Sequence, residues 1–391
     1  MKSINSILLI IPLLILGCVG RGGEQLSDDV ITVDVTKSYP QKKEMILQDF
    51  MDVEYIALET NDEFVNQGRV LDIGKKIILV KNTINDGDIF IYDRHGKALR
   101  KINHNGPKSD EEYTNILNIT LDEDNEEMFV SDIYNKKIYV YDLYGKFKRS
   151  FRHKEGGGSL FYTEIFNYDR DNLLCCDPYN EEIAFVLVSK QDGSITKEIK
   201  IPFKEKKDLS QTRMQGEQGV VMSPGPYRPI TPYNGNWILL EFSSDTVYTL
   251  LPDYSLQPFI VRTPPIQSMD PEVMLRLRLL SDRYYFMDAV VNEYNFNTRR
   301  GFSTTFLMYD KQEKVFFGYT LYNGDYSIKK EIYMSSLRPV NHEIESWQKI
   351  EAYQLVESYK NGELKDGKLK EIASKLDEED NPVIMLIKHK K

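Results

Sequence analysis

The sequence predicts an all-β chain: a six-bladed β-propeller with short C-terminal helices and a closing C-terminal strand. Three observations carry this: a long internal repeat, a turn of fixed chemistry within it, and an isolated apolar strand at the C-terminal end. Ile89-Phe90-Ile91-Tyr92-Asp93-Arg94-His95-Gly96-Lys97 is repeated as Ile138-Tyr139-Val140-Tyr141-Asp142-Leu143-Tyr144-Gly145-Lys146, an offset of 49 positions (141 minus 92). A period of roughly 40 to 50 residues built from short strands is the signature of a propeller blade.

Each repeat turns by the same chemistry. Asp93 and Asp142 place a carboxylate over downstream backbone N–H groups, and the glycine three residues on supplies the positive φ of a three-residue hairpin with a bulge. The strands before the turn are apolar on both faces, as in a sheet covered by neighbours on either side. A weaker copy links Asp132-Ile133-Tyr134-Asn135 with Asp177-Pro178-Tyr179-Asn180, each followed by an apolar strand, Ile138 to Tyr141 and Ile183 to Val188. Later strands are expected at Trp237 to Phe242, Thr246 to Leu251, Tyr284 to Val291, Phe306 to Asp310 and Val315 to Leu321. With Val53 to Leu58 grouped with the strands near Val70 and Ile77 to Val80, six blades fit.

The N-terminus reads as a targeting segment. Lys2 precedes an apolar run from Ile7 to Leu16, far short of the ~20 residues of a spanning helix. Ile15-Leu16-Gly17-Cys18 reads as a lipobox, so residues 1–17 are expected to be a lipoprotein signal peptide and Cys18 the lipidated residue. Acylation by more than one chain would give firm anchoring. Residues 18–29 would be a tether and 30–391 the propeller, in the cell envelope and at the outer membrane.

The remaining segments have distinct readings. Lys204 to Pro232, rich in Gln, Gly and Pro, is expected to be a long loop of the kind that carries binding function. Asp270-Pro271 reads as the start of a helix through Met274, Leu277 and Leu280. Glu343 to Tyr359 has apolar residues at helical spacing, stopped by Asn361-Gly362, and a second helix is expected from Lys368 to Leu376, giving a helical segment over 343–376. Val383 to Ile387 is expected to close the ring by pairing with Val30 to Val35.

Composition narrows function. The net charge of −10 and the lack of a basic patch exclude a nucleic-acid partner, whose phosphates need Lys and Arg. Beyond Cys18 there are only Cys175 and Cys176, adjacent in a strand and pointing to opposite faces, which reads as two small buried residues rather than a redox pair. The Gly-x-Ser-x-Gly, Walker, His-Glu-x-x-His and Cys-x-x-Cys motifs do not occur. His95, His104, His153, His342 and His389 are scattered, which favours structural or solvated roles. The run Asp122-Glu123-Asp124-Asn125-Glu126-Glu127 lacks the glycine and distal glutamate of a calcium loop and reads as a solvated hairpin. Asp132 and Asp177 end equivalent strands, where they either cap the next turn or face the channel as ligands for a metal or polar group. Tyr227 and Arg228, in the long loop beside Tyr233, are candidate contacts for a ligand.

Val53-Glu54-Tyr55-Ile56-Ala57-Leu58-Glu59-Thr60, the strand ending in Asp93-x-x-Gly96-Lys97, Gly106-Pro107 to Glu112-Tyr113, Asp245-Thr246-Val247-Tyr248 and Asn381-Pro382-Val383 resemble the six-bladed β-propeller lipoprotein family of Gram-negative anaerobes. The likeness covers most of the chain after the tether. More distantly the chain is similar to NHL-repeat propellers. Within the family's usual Gly-Pro-Gly-Glu-Tyr stretch this sequence carries Lys108-Ser109-Asp110-Glu111. The resemblance implies an envelope propeller with no assigned reaction. NHL-like propellers are largely interaction scaffolds, while calcium-dependent lactonases and esterases share their architecture. The function expected is therefore non-catalytic binding of a glycan, peptide or partner protein without a cofactor. The alternative is a calcium-dependent lactonase- or esterase-like hydrolase with a site in the central channel.

Overall fold

In the computed structural model, residues 30–39, 42–107, 109–153, 162–216 and 218–390 are described. The expected signal peptide, Cys18 and the tether lie outside these residues. Strands dominate, and they form six antiparallel four-stranded blades. Blade 1 comprises Arg69–Ile73, Ile77–Lys81, Asp88–Asp93 and Ala98–Asn103, and blade 2 Ile116–Asp122, Glu127–Asp132, Lys137–Asp142 and Phe147–Arg152. Blade 3 comprises Glu164–Asn167, Asn172–Cys176, Phe185–Ser189 and Ile195–Ile199; blade 4 Ile230–Tyr233, Asn236–Leu239, Thr246–Leu250 and Leu256–Thr263. Blade 5 comprises Val273–Leu280, Tyr284–Val291, Thr304–Asp310 and Val315–Tyr322, and blade 6 Arg338–Pro339, Ile344–Ile350, Val383–His389 and Met51–Ala57.

The turns behave as their chemistry requires. Asp93 accepts from the backbone N–H of His95 at 2.8 Å and of Lys97 at 2.9 Å, and Asp142 accepts from Tyr144 and Lys146, both at 2.9 Å. Gly96 and Gly145 sit at φ +84° and +91°. A Cβ on Gly96 would also lie 2.0 Å from the Ala57 carbonyl oxygen, so both backbone shape and close approach demand glycine there.

Burial explains why the strands are apolar on both faces. Six apolar clusters occur, one at each blade-to-blade interface. Ile384 and Leu386 pack toward blade 1, whereas Val383, Met385 and Ile387 pack toward blade 5. Cys175 and Cys176 likewise belong to clusters on opposite sides of blade 3, free and buried, and desolvation raises both thiols well above the ordinary range.

The ring closes with a different partner from the one expected. Val383–His389 pairs antiparallel with Met51–Ala57, from Met51 opposite His389 to Ala57 opposite Val383. Val53 to Leu58 therefore belongs to blade 6 and not to the first blade. Ile31–Asp34 instead adds in parallel to the outer strand of blade 4, with Ile31 opposite Ile260. Only Ile31 and Val33 of that strand are buried, the one-sided pattern of an edge. Lys42–Ile46 adds in the same way to blade 5.

Two expected helices are strands. Val273–Leu280 reads Val-Met-Leu-Arg-Leu-Arg-Leu-Leu, and alternation of Leu275, Leu277 and Leu279 with Arg276 and Arg278 overrides the spacing of Met274, Leu277 and Leu280. Ile344–Ile350 pairs with the C-terminal strand, so helix begins only at Ala352, running to Lys360, where Asn361 and Gly362 at φ +69° end it. The second helix spans Lys368–Ala373. The Lys204 to Pro232 segment contains a hairpin, Gln211–Gln215 with Gln218–Met222, and the start of blade 4. No helix among the described residues is long and apolar enough to cross a membrane.

Candidate functional site: the axial cavity

The innermost strands of the blades leave a cavity of about 500 Å³, lined from blades 1, 2, 3, 4 and 6. It lies where the first strands turn into the second, at Ile73 to Lys75, Leu121 to Asp124 and Asn341 to Glu343. The volume falls within the range of small-molecule sites, roughly 300 to 1,000 Å³.

Most polar groups on this wall are engaged in holding blades together. Asp72 accepts from the N–H of Leu121 and of Ile73, each at 2.7 Å, joining blades 1 and 2. Burial pushes its carboxyl up to about 6 despite those donors. Glu123 accepts from the N–H groups of Lys75, Lys76 and Ile77 at 2.7, 2.8 and 3.0 Å, so this part of the acidic run is an inter-blade staple and not a solvated hairpin. Its neighbour Asp122 is buried against the Lys190 ammonium at 2.6 Å. Asn341 donates to the Ile73 carbonyl at 3.0 Å.

Three lining side chains instead carry a buried polar atom with no partner within the protein: Asn118 through Oδ1, His342 through Nδ1 and Arg94 through Nη1. Such atoms cost on the order of 1 to 3 kcal/mol each unless water or a ligand satisfies them. His342 packs edge-on against Trp237 at 4.8 Å, and burial, then the nearby His389, lowers its imidazole below the usual value. Glu164, also on the wall, is pushed up to about 7 by burial, opposed by Arg338.

The candidates expected from the sequence do not converge on one point. Asp132 is fully buried and accepts from the N–H groups of Thr114, Tyr134 and Asn135 at 2.6, 2.9 and 3.0 Å, and from the Asn135 amide at 3.0 Å. Asp177 accepts from the Tyr179 N–H at 3.1 Å, and burial pushes its carboxyl up to about 6. Each serves a turn of its own blade, the capping role. Among the described residues no group of three or more His, Cys, Asp or Glu is placed to hold a metal ion. Tyr227 stacks on Phe242 with ring centroids 4.1 Å apart, and burial drives its phenol upward. Arg228 reaches from the start of blade 4 to blade 6, where it donates to Glu345 at 2.6 Å and Ser346 at 2.7 Å.

Asn118, Arg94 and His342 carry no joint signal in the sequence. They lie in three different blades, at no common spacing, and only closure of the ring brings them together.

One of the solved structures similar to this chain supports the fold. A protein named as exported, from Bacteroides fragilis NCTC 9343, aligns with a TM-score of 0.57 and 15% identity over 93% of this chain and 100% of its own. A member of the duf4221 family from Bacteroides vulgatus ATCC 8482 aligns with a TM-score of 0.46 and 10% identity, covering 88% of this chain and 100% of that one. Virginiamycin B lyase from Staphylococcus aureus aligns with a TM-score of 0.36 and 11% identity, covering 86% and 99%. No curated protein matches the chain. Among protein families, residues 30–388 match the one described as a domain of unknown function, DUF4934, and the chain belongs to that family.

Proposed function

We propose that this chain is an exported envelope lipoprotein, anchored through Cys18, that binds a small glycan in its axial cavity without chemical turnover. The observation that carries the reading is a cavity of about 500 Å³ whose lining side chains Asn118, His342 and Arg94 each have a buried polar atom without a partner in the protein. The amide, imidazole and guanidinium groups of side chains that line one space suit a ligand rich in hydroxyl groups. The volume suits one or two sugar rings better than a folded partner. The likeness to a protein named as exported and the lipobox support placement in the envelope.

A glycan array followed by titration calorimetry tests this. Asn118→Ala and His342→Ala are each expected to weaken a captured glycan at least tenfold without changing the melting temperature by more than a few degrees. Absence of any captured glycan, or affinities unchanged in both variants, refutes the reading.

A further inference from the structure

We propose that Glu164 and the rings of Phe166 and Trp237, all on the wall of the axial cavity, form a subsite for an ammonium group, so that the cavity's ligand is an amino sugar. This rests on the glycan-cavity proposal and adds the charge of the ligand.

Glu164 stands apart from the other carboxyl groups set into this wall. Asp72 accepts from two backbone N–H groups and Glu123 from three. Glu164 makes no hydrogen bond or ion pair among the described residues; Arg338 acts on it only through space. It is partly buried, so its carboxyl keeps access to the cavity that it lines. Blade 2 fixes the backbone on both sides of it, because Asn118 donates to the Thr163 carbonyl at 3.1 Å and the Thr120 hydroxyl to the Ile165 carbonyl at 2.8 Å. A carboxyl held in place without a protein donor is an acceptor prepared for a donor from outside, and a charged donor makes the stronger bond.

The cations of the cavity wall are committed elsewhere. Lys75 pairs with Asp124 at 3.5 Å, and Arg94 and Lys388 both pair with Glu54, at 3.7 and 2.9 Å. Against these three, the lining carries Asp72, Glu123, Asp124, Glu164 and Glu343. An aromatic surface adjoins the unpaired carboxyl. Phe166 lies two residues further along the same strand, hence on the same face of blade 3 as Glu164. Its ring meets that of Trp237, 7% exposed, with centroids 5.5 Å apart and planes at 61°, and both residues line the cavity. Aromatic faces attract ammonium groups through the ring quadrupole, so carboxylate and rings together favour a cation over a neutral hydroxyl group.

Calorimetry tests the proposal at pH 7.5, above the Glu164 value of about 7, with D-glucosamine, methyl 6-amino-6-deoxyglucoside, neutral methyl glucoside and sugar-free cyclohexylammonium. Wild-type protein is expected to bind the better of the two amino sugars at least tenfold more tightly than methyl glucoside. Glu164→Gln, which keeps the size of a side chain that holds no protein hydrogen bond and removes its charge, is expected to cut that ratio at least fivefold. Phe166→Leu is expected to cut it at least twofold. A wild-type ratio below tenfold for both amino sugars, or a ratio in Glu164→Gln within twofold of wild type, overturns the subsite. If methyl glucoside then binds as well as the amino sugars and Asn118→Ala abolishes it, the glycan cavity stands without the ammonium subsite. Cyclohexylammonium binding that Glu164→Gln removes, with no sugar bound, instead upholds the subsite and removes the glycan.

Discussion

Removing residues 381–391 is expected to abolish the folded state. The deletion strips the third strand from blade 6, leaving Ile344–Ile350 and Met51–Ala57 with no strand between them. Val383, Ile384, Met385, Leu386 and Ile387 are each at most 1% exposed, and at roughly 1.5 to 3 kcal/mol per buried side chain their loss costs about 8 to 15 kcal/mol. That equals the whole stability of a typical domain, about 5 to 15 kcal/mol. Asn381 goes as well, and with it amide donation to the Glu59 and Phe64 carbonyls at 2.8 and 2.7 Å. The milder Ile384→Ala, in the cluster between blades 6 and 1, is expected to cost about 2 to 5 kcal/mol and still fold. Thermal unfolding followed by circular dichroism separates these cases. A truncated protein that melts in one transition within a few degrees of wild type would show that blade 6 does not hold the ring.

Asp132→Ala is expected to cost about 2 to 4 kcal/mol, because several N–H donors lose their acceptor in a buried corner, and denaturant unfolding would read it. A loss below about 0.5 kcal/mol, the scale of an ordinary surface change, contradicts the capping role. Glu164→Gln is expected to change how stability depends on pH. The carboxyl, faced by Arg338, Tyr227 and Cys176, is raised from 4.5 to about 7, so between those values the native state holds more protons than the unfolded one. Its contribution is therefore favourable at low pH and is lost as pH rises through about 7, reaching about 3 kcal/mol. The variant's melting temperature should fall less than wild type's between pH 5 and 8; parallel curves would refute the assignment.

Local chemistry makes the blades legible in the sequence. Asp93 and Asp142 satisfy their own turns, and a strand covered on both sides must be apolar throughout, so both signals survive in a single chain. Pairing between distant strands leaves no comparable trace. Met51–Ala57 and Ile31–Asp34 are both short apolar segments, and the choice between them as the ring's partner follows from the two-sided burial of the former. The strand at Val273–Leu280 mimics a helix because Met274, Leu277 and Leu280 fall at three-residue spacing, although the alternating arginines fit a strand. The cavity is least visible, since Arg94, Asn118 and His342 become neighbours only through tertiary closure.

The clasp in blade 6 also sets a schedule. Lys388 and Glu54, joined at 2.9 Å, stand 334 positions apart in the chain. Contacts of such sequence separation form late and slowly. A polypeptide that emerges amino-end first cannot complete its circle until its last strand is free. Its half-made blades meanwhile present open edges, the period in which a chaperone would have most to protect.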